Sequence, residues 1–181
     1  MYKEPSYPMT ALMNAVGFHA SAMGNHEFDL KPEGFRKQAN RSTFRYLCAN
    51  LIASDSLPMP VIPYQLFDCE GVSVGVLGIV QRGAQGIPDT HPNNVRGLCF
   101  LPEEEAIRRY AGLRDSCDIA ILLSHCGYEA DQEWADRFPF LDVIIGGHSH
   151  TKLEGNTFRG EVLITQAENN LHYATLTKIH L

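Results

Sequence analysis

The chain has 181 residues, 44% of them hydrophobic, which suits one domain with a substantial core. A formal charge of −6, with Lys and Arg scattered along the chain, leaves no basic footprint and argues against a nucleic acid polymer as partner. The longest apolar runs, such as residues 72–80, are strand-sized and far short of a membrane span.

In chain order, residues 1–5 are polar and irregular, with no charged-then-apolar leader. Residues 9–16 read as a short helix stopped by Gly17, and residues 19–23 as a brief strand after which Gly24 frees the backbone to turn. Pro32 introduces a polar helix over 33–41. A strand is expected at 45–49, and the three prolines of 54–63 mark a connecting loop. Residues 64–69 and 72–80, joined at Glu70-Gly71, form a β-hairpin. Residues 81–97, rich in Gly, Pro and Asn, make a long loop. The segment 102–114 is a helix, acidic at its start and basic toward its end, as the helix dipole prefers. Beyond it come a buried strand at 118–123, a helix at 129–137 carrying Trp134, and a buried strand at 142–145. Two more strands, 161–165 and 172–179, close the chain. Alternating strands and helices with one hairpin indicate an α/β core whose sheet is partly antiparallel. The cysteines (Cys48, Cys69, Cys99, Cys117, Cys126) are odd in number, lack CxxC spacing and sit mostly among apolar residues, so buried free thiols are expected.

Three polar clusters each follow a short apolar run, where the carboxyl end of a strand leaves a ligand-bearing loop. The first is Gly24-Asn25-His26-Glu27-Phe28-Asp29. Asn25 offers a carbonyl oxygen and His26 an imidazole, which Asp29 could orient from three residues on. The bland alternative is a helix start with Asn25 as N-cap and Glu27 and Asp29 in the first turn. The second is Leu123-Ser124-His125-Cys126-Gly127. Neighbouring strand residues point to opposite faces, so His125 is the candidate ligand and Cys126 is packing; a Cys–His nucleophile pair is the weaker reading. The third is Gly146-Gly147-His148-Ser149-His150-Thr151, whose two histidines, in an extended segment, would project to one side. Together Asn25, His125, His148 and His150 make a plausible metal site. Asp89-Thr90-His91 has metal-pair spacing, but it lies between Pro88 and Pro92 in the long loop and reads as a turn. His19, His172 and His180 have no partners in sequence and are expected to be structural.

These motifs, with CANL at 48–51, VGVLGIV at the end of the hairpin, HPNNVRGLCF at 91–100 and LITQA at 163–167, resemble those of the calcineurin-like metallophosphoesterases. The likeness is to the catalytic domain of bacterial 5′-nucleotidases and 2′,3′-cyclic nucleotide phosphodiesterases, and it covers nearly the whole chain. It implies a metallophosphatase-like β-sandwich with mixed sheets flanked by helices, and a single catalytic domain over 1–181. By motif, Asn25, His125 and His148 would ligate one divalent ion and His150 a second, the ions being Mn, Zn, Fe, Co or Mg. His26, oriented by Asp29, would donate a proton or hydrogen bond in the transition state. The implied substrate is a small phosphate ester, in particular a nucleotide, and the implied location is periplasmic or secreted.

The chain departs from the family pattern at its start. The family opens with Asp-x-His and a Gly-Asp-x-x-x-Gly loop whose aspartate bridges both metals, and residues 1–23 contain neither. An N-terminally truncated domain is therefore expected, with an exposed sheet edge, one ion or none, and impaired hydrolysis. The family's separate nucleoside-binding domain is expected to be missing as well. The alternative is a non-catalytic single-metal binding or interaction module. Leu171 stands where the family carries glycine, so a different last loop is expected.

Overall fold

The structure is a computed structural model describing residues 8–52 and 56–180. Residues 1–7, and the start of the expected 54–63 loop, lie outside the described residues.

The chain opens with α1 (Pro8–Val16), ended at Gly17, and β1 (Ala20–Ala22). A 3₁₀ turn at Asn25–Phe28 leads into α2 (Lys31–Ala39). The strands β2 (Arg45–Leu47), β3 (Leu51–Ile52) and β4 (Val61–Ile62) follow. The expected hairpin is β5 (Tyr64–Cys69) and β6 (Val72–Val80). After the long loop come β7 (Cys99–Phe100), α3 (Glu103–Arg109), β8 (Ile119–His125) and α4 (Tyr128–Arg137). The last strands are β9 (Val143–Ile145), β10 (Thr157–Arg159) and β11 (Val162–Thr165).

Two sheets face one another. The larger has the order β10-β11-β9-β8-β6-β5, with β11, β9, β8 and β6 mutually parallel and the two outer strands antiparallel. The smaller is the parallel trio β1-β2-β4. Alternation along β8 shows why this is a sandwich. Ala120, Leu122 and Ser124 are buried, whereas Ile121, Leu123 and His125 are half-buried. The even-numbered side packs with Leu77, Ile79, Ile107, Trp134 and Ile144 beneath α3 and α4. Each fully buried Leu or Ile there contributes about 1.5–3 kcal/mol. The odd-numbered side faces β1 and β2. Gly78 of β6 makes the closest approach, since a Cβ there would lie 2.4–2.5 Å from Leu47 of β2. A second core, with Met23, Phe28, Phe35 and Phe100, fills the space below α2.

Between the sheets an open cavity of about 510 Å³ is lined by Phe18, Phe67, Val76, Ile121, Leu123 and Ile145, among others. Among the described residues, β1 is an edge strand with one hydrogen-bonding side that no described strand occupies.

Several expectations need correction. Residues 172–179 form no strand among the described residues; their alternation in parts finds no neighbouring strand to pair with. The helix expected over 102–114 breaks at Tyr110, where the backbone leaves α-geometry (φ −106°, ψ 16°) and continues as a 3₁₀ segment, Ala111–Ser116. Strands β3 and β7 pair antiparallel, an element too short to read from periodicity. All five cysteines are free, but only Cys48 is fully buried, and Cys69 and Cys99 are exposed. Cys69 ends the edge strand β5 and Cys99 lies in a two-stranded ribbon, so neither has a layer above it.

Candidate metal and active site

Strands β1, β8 and β9 end at one rim, and each hands a polar side chain to it. After β1, Gly24 rather than Asn25 caps the 3₁₀ turn, and the Glu27 carboxylate closes that turn by accepting the Gly24 N–H at 2.7 Å. The N-cap reading of Asn25 is therefore incorrect. Its buried amide instead donates from Nδ2 to the Asp89 carbonyl at 2.9 Å. That bond fixes the orientation of the amide, so Oδ1 faces Nε2 of His125 at 2.9 Å. Glycine is required at 24, because a Cβ would come within 2.8 Å of the His125 ring. On the other side of that ring a Cβ on Gly147 would lie 3.2 Å from Nδ1.

His148, carried beyond β9, stacks obliquely on His125 with ring centroids 5.2 Å apart. The loop is not the extended segment expected of residues 146–151. Both histidines take left-handed backbone angles, φ +74° at His148 and +56° at His150, a conformation costing roughly 1–2 kcal/mol at a non-glycine residue. His150 uses Nδ1 against Asn169 at 3.0 Å, so Nε2 is its remaining donor atom. His26 and Asp29 pair at 2.9 Å on the exposed side of the rim.

Burial, reinforced by His148, His26 and His150, holds the His125 imidazole down to about 4. Burial lowers His148 too, against the opposing pull of the Asp89 carboxylate. Near neutral pH both rings are therefore neutral, the form that offers a lone pair to a cation. Two ligand atoms about 2.1 Å from one ion, at 90–109° to each other, lie about 3.0–3.4 Å apart. The 2.9 Å between Asn25 Oδ1 and His125 Nε2 fits that requirement within the flexibility of the two side chains. Among the described residues no three His, Cys, Asp or Glu side chains converge on one point. The set reaches three donors only by including the Asn25 amide, and it contains no carboxylate.

Cys126 packs against the helix-side core, and burial pushes its thiol well above the ordinary range, which argues against a thiol nucleophile. His91 accepts the Asn93 N–H from within a turn, as expected of the loop. Asp89, set aside on sequence, nevertheless contributes through its backbone carbonyl and its charge beside His148. No spacing rule points to a backbone carbonyl. Gln166 and Asp131, both buried behind the histidine loop, were likewise missed; Gln166 appeared only as a letter within LITQA.

The sequence profile of the calcineurin-like phosphoesterases matches residues 6–152. The protein UshA of Yersinia enterocolitica is 34% identical over 152 residues, 76% of this chain and 27% of that protein. A 5′-nucleotidase of Vibrio cholerae is 31% identical over 152 residues, with the same coverage of 76% and 27%. The crystal structure of a 5′-nucleotidase precursor from Thermus thermophilus superposes with a TM-score of 0.77 at 27% identity, over 90% of this chain and 36% of that one. The chain thus spans about a quarter of the length of the curated relatives it matches. From the profile match, supported by these likenesses in sequence and fold, the chain belongs to the calcineurin-like phosphoesterase family.

Proposed function

We propose that this chain carries the metal-binding core of a divalent-metal-dependent phosphate ester hydrolase acting on nucleotides. The observation that supports it most is the meeting of Asn25, His125 and His148 across the two sheets, with the His26–Asp29 pair alongside. Relatives bearing the name 5′-nucleotidase favour a nucleotide as the ester.

In this reading Asn25 Oδ1, His125 Nε2 and His148 hold one ion, and His150 contributes to a second. A bound ion would neutralise phosphate charge and make a water more acidic for in-line attack. The chain's own residues do the rest. The Asp89 carbonyl keeps the Asn25 oxygen turned inward, and Gly24 and Gly147 confine the His125 ring. His26 in its protonated form gives Nδ1–H to Asp29 and presents Nε2–H to a phosphoryl or leaving oxygen. Phosphate monoesters hydrolyse extremely slowly unaided, so positioning and positive charge supply most of what is needed.

The lack of a carboxylate in the donor set favours one ion over two and weak turnover by these 181 residues alone. The test combines calorimetric titration with manganese and zinc and hydrolysis of a nucleoside 5′-monophosphate. It uses the chain as it stands, a His148→Ala variant, and a version with an Asp-x-His and Gly-Asp segment joined ahead of residue 1. One site per chain, lost in His148→Ala, with hydrolysis rising at least a hundredfold in the extended version, is expected. Metal affinity unchanged in His148→Ala would overturn the site. Equal turnover with and without the added segment would overturn the need for a carboxylate.

A further inference from the structure

Gln166 follows β11 and is 2% exposed. Its side-chain amide makes three contacts with the histidine loop. Oε1 accepts the Thr151 backbone N–H at 2.5 Å and the Ser149 hydroxyl at 2.9 Å, and Nε2 reaches the Gly147 carbonyl at 3.3 Å. The residues it holds are 147, 149 and 151. Those between them, His148 and His150, are the two with left-handed backbone angles. A loop held at alternate residues by one buried amide cannot relax these histidines toward ordinary angles without breaking that amide's bonds.

The surroundings leave Gln166 little freedom to move. Its own carbonyl accepts the Leu153 N–H at 3.1 Å, which ties the far end of the loop to the same residue. Gly146, at the near end, is flanked by Gln166 and the buried Asp131. A Cβ there would lie 2.9 Å from Nε2 of the one and 2.2 Å from Oδ2 of the other. Ser149 Oγ also accepts the Tyr128 N–H at the start of α4 and lies 2.9 Å from the Thr151 hydroxyl. The clamp thus extends from the end of β11 to α4.

We propose that Gln166 is a positioning residue: its side-chain amide holds the loop in the shape that presents His148 and His150 to a cation. This rests on the reading of those histidines as ligands. Residues that hold metal ligands in place typically change metal affinity 10–100-fold when replaced.

The test uses Gln166→Met, which keeps length and loses every side-chain hydrogen bond of Gln166, and Ser149→Ala, an exposed change that removes one of them together with the contacts of Ser149 to Tyr128 and Thr151. Ile107→Val, in the helix-side core, controls for general loss of stability. Two readouts are taken: amide hydrogen exchange at Thr151 without metal, and calorimetric affinity for zinc. Gln166→Met should speed Thr151 exchange at least tenfold, leave β8 and β9 amides unchanged, and lower zinc affinity 10–100-fold. Ser149→Ala should lower affinity several-fold and keeps the question answerable if Gln166→Met fails to fold. Unchanged Thr151 exchange in Gln166→Met overturns the clamp, as does zinc affinity equal to wild type in a folded Gln166→Met or in Ser149→Ala, or an equal loss in Ile107→Val. Failure of the wild-type chain to bind zinc refutes the ligand reading, and the purpose of the clamp with it. Normal wild-type binding that persists in the variants refutes the clamp alone.

Discussion

Replacing Asp131 with asparagine should change the pH dependence of stability in a calculable way. Asp131, on α4, is fully buried, and neither carboxylate oxygen has a well-formed hydrogen bond among the described residues. Burial pushes its carboxyl from 3.8 up to about 7, against a smaller opposing pull from the Ser124 hydroxyl. Between those values the unfolded chain releases the proton while the folded chain keeps it, so folding becomes less favourable as pH rises. About three pH units at 1.4 kcal/mol each set a ceiling of about 4 kcal/mol on this loss, complete above the folded value. Two of those units fall between pH 5 and pH 7, so Asp131→Asn should gain about 3 kcal/mol on wild type between pH 5 and pH 8. His125 works in the opposite direction. Its folded value near 4 lies below the ordinary 6.5, so stability is lost as pH falls through that window. Both proteins share that contribution, and it cancels in the difference. Urea unfolding of the two at pH 5 and pH 8 measures the effect. A stability difference that stays flat across this range would show that Asp131 ionises normally in the fold, and the burial argument would fail.

Gly78→Ala should destabilise the chain by roughly 3 kcal/mol, the upper part of the range for overpacking, because the new methyl meets Leu47 backbone atoms as well as its side chain. Chemical denaturation measures this, and a loss under about 1 kcal/mol would mean the sheets part easily. Leu171 is 71% exposed and sits at φ +59°, so Leu171→Gly removes backbone strain and little burial. A gain of about 1 kcal/mol is expected in the same assay, and a loss would refute the assignment of strain there.

How far the sequence could be read depended on the range of the interactions involved. Strand and helix positions followed from apolar runs and the residues that bound them, as in β8 and α4. The 172–179 strand failed because a strand is defined by its neighbour as much as by its own residues. Asn25, His125 and His148 could be named because each combines a donor side chain with a glycine-bearing turn after an apolar run. Their actual conformations could not be read: the left-handed angles of His148 and His150 occur in a loop whose residues 147, 149 and 151 hydrogen-bond to Gln166, well beyond the loop in sequence. Leu171 shows the reverse case. The expected glycine corresponds to a real left-handed turn, and the chain adopts it without glycine. The bond that orients Asn25 comes from a backbone carbonyl at Asp89, and carbonyls carry no sequence signature.

The meeting of β1 and β2 with β6 and β8 has a consequence for how the rim responds to change in the packing beneath it. Asn25 belongs to one sheet, while His125 and His148 belong to the other, and the hydrogen bond between Asn25 and His125 crosses the seam. The gap at that seam is set by packing such as Gly78 against Leu47, just beneath the rim, where Gly78 pairs with Leu123 and Leu47 with Ala22. Any substitution that wedges the layers apart by an ångström would carry the amide oxygen away from both imidazoles at once. With the rim as the proposed cation site, its affinity should register the spacing of the two layers, and changes between them should be felt at the surface.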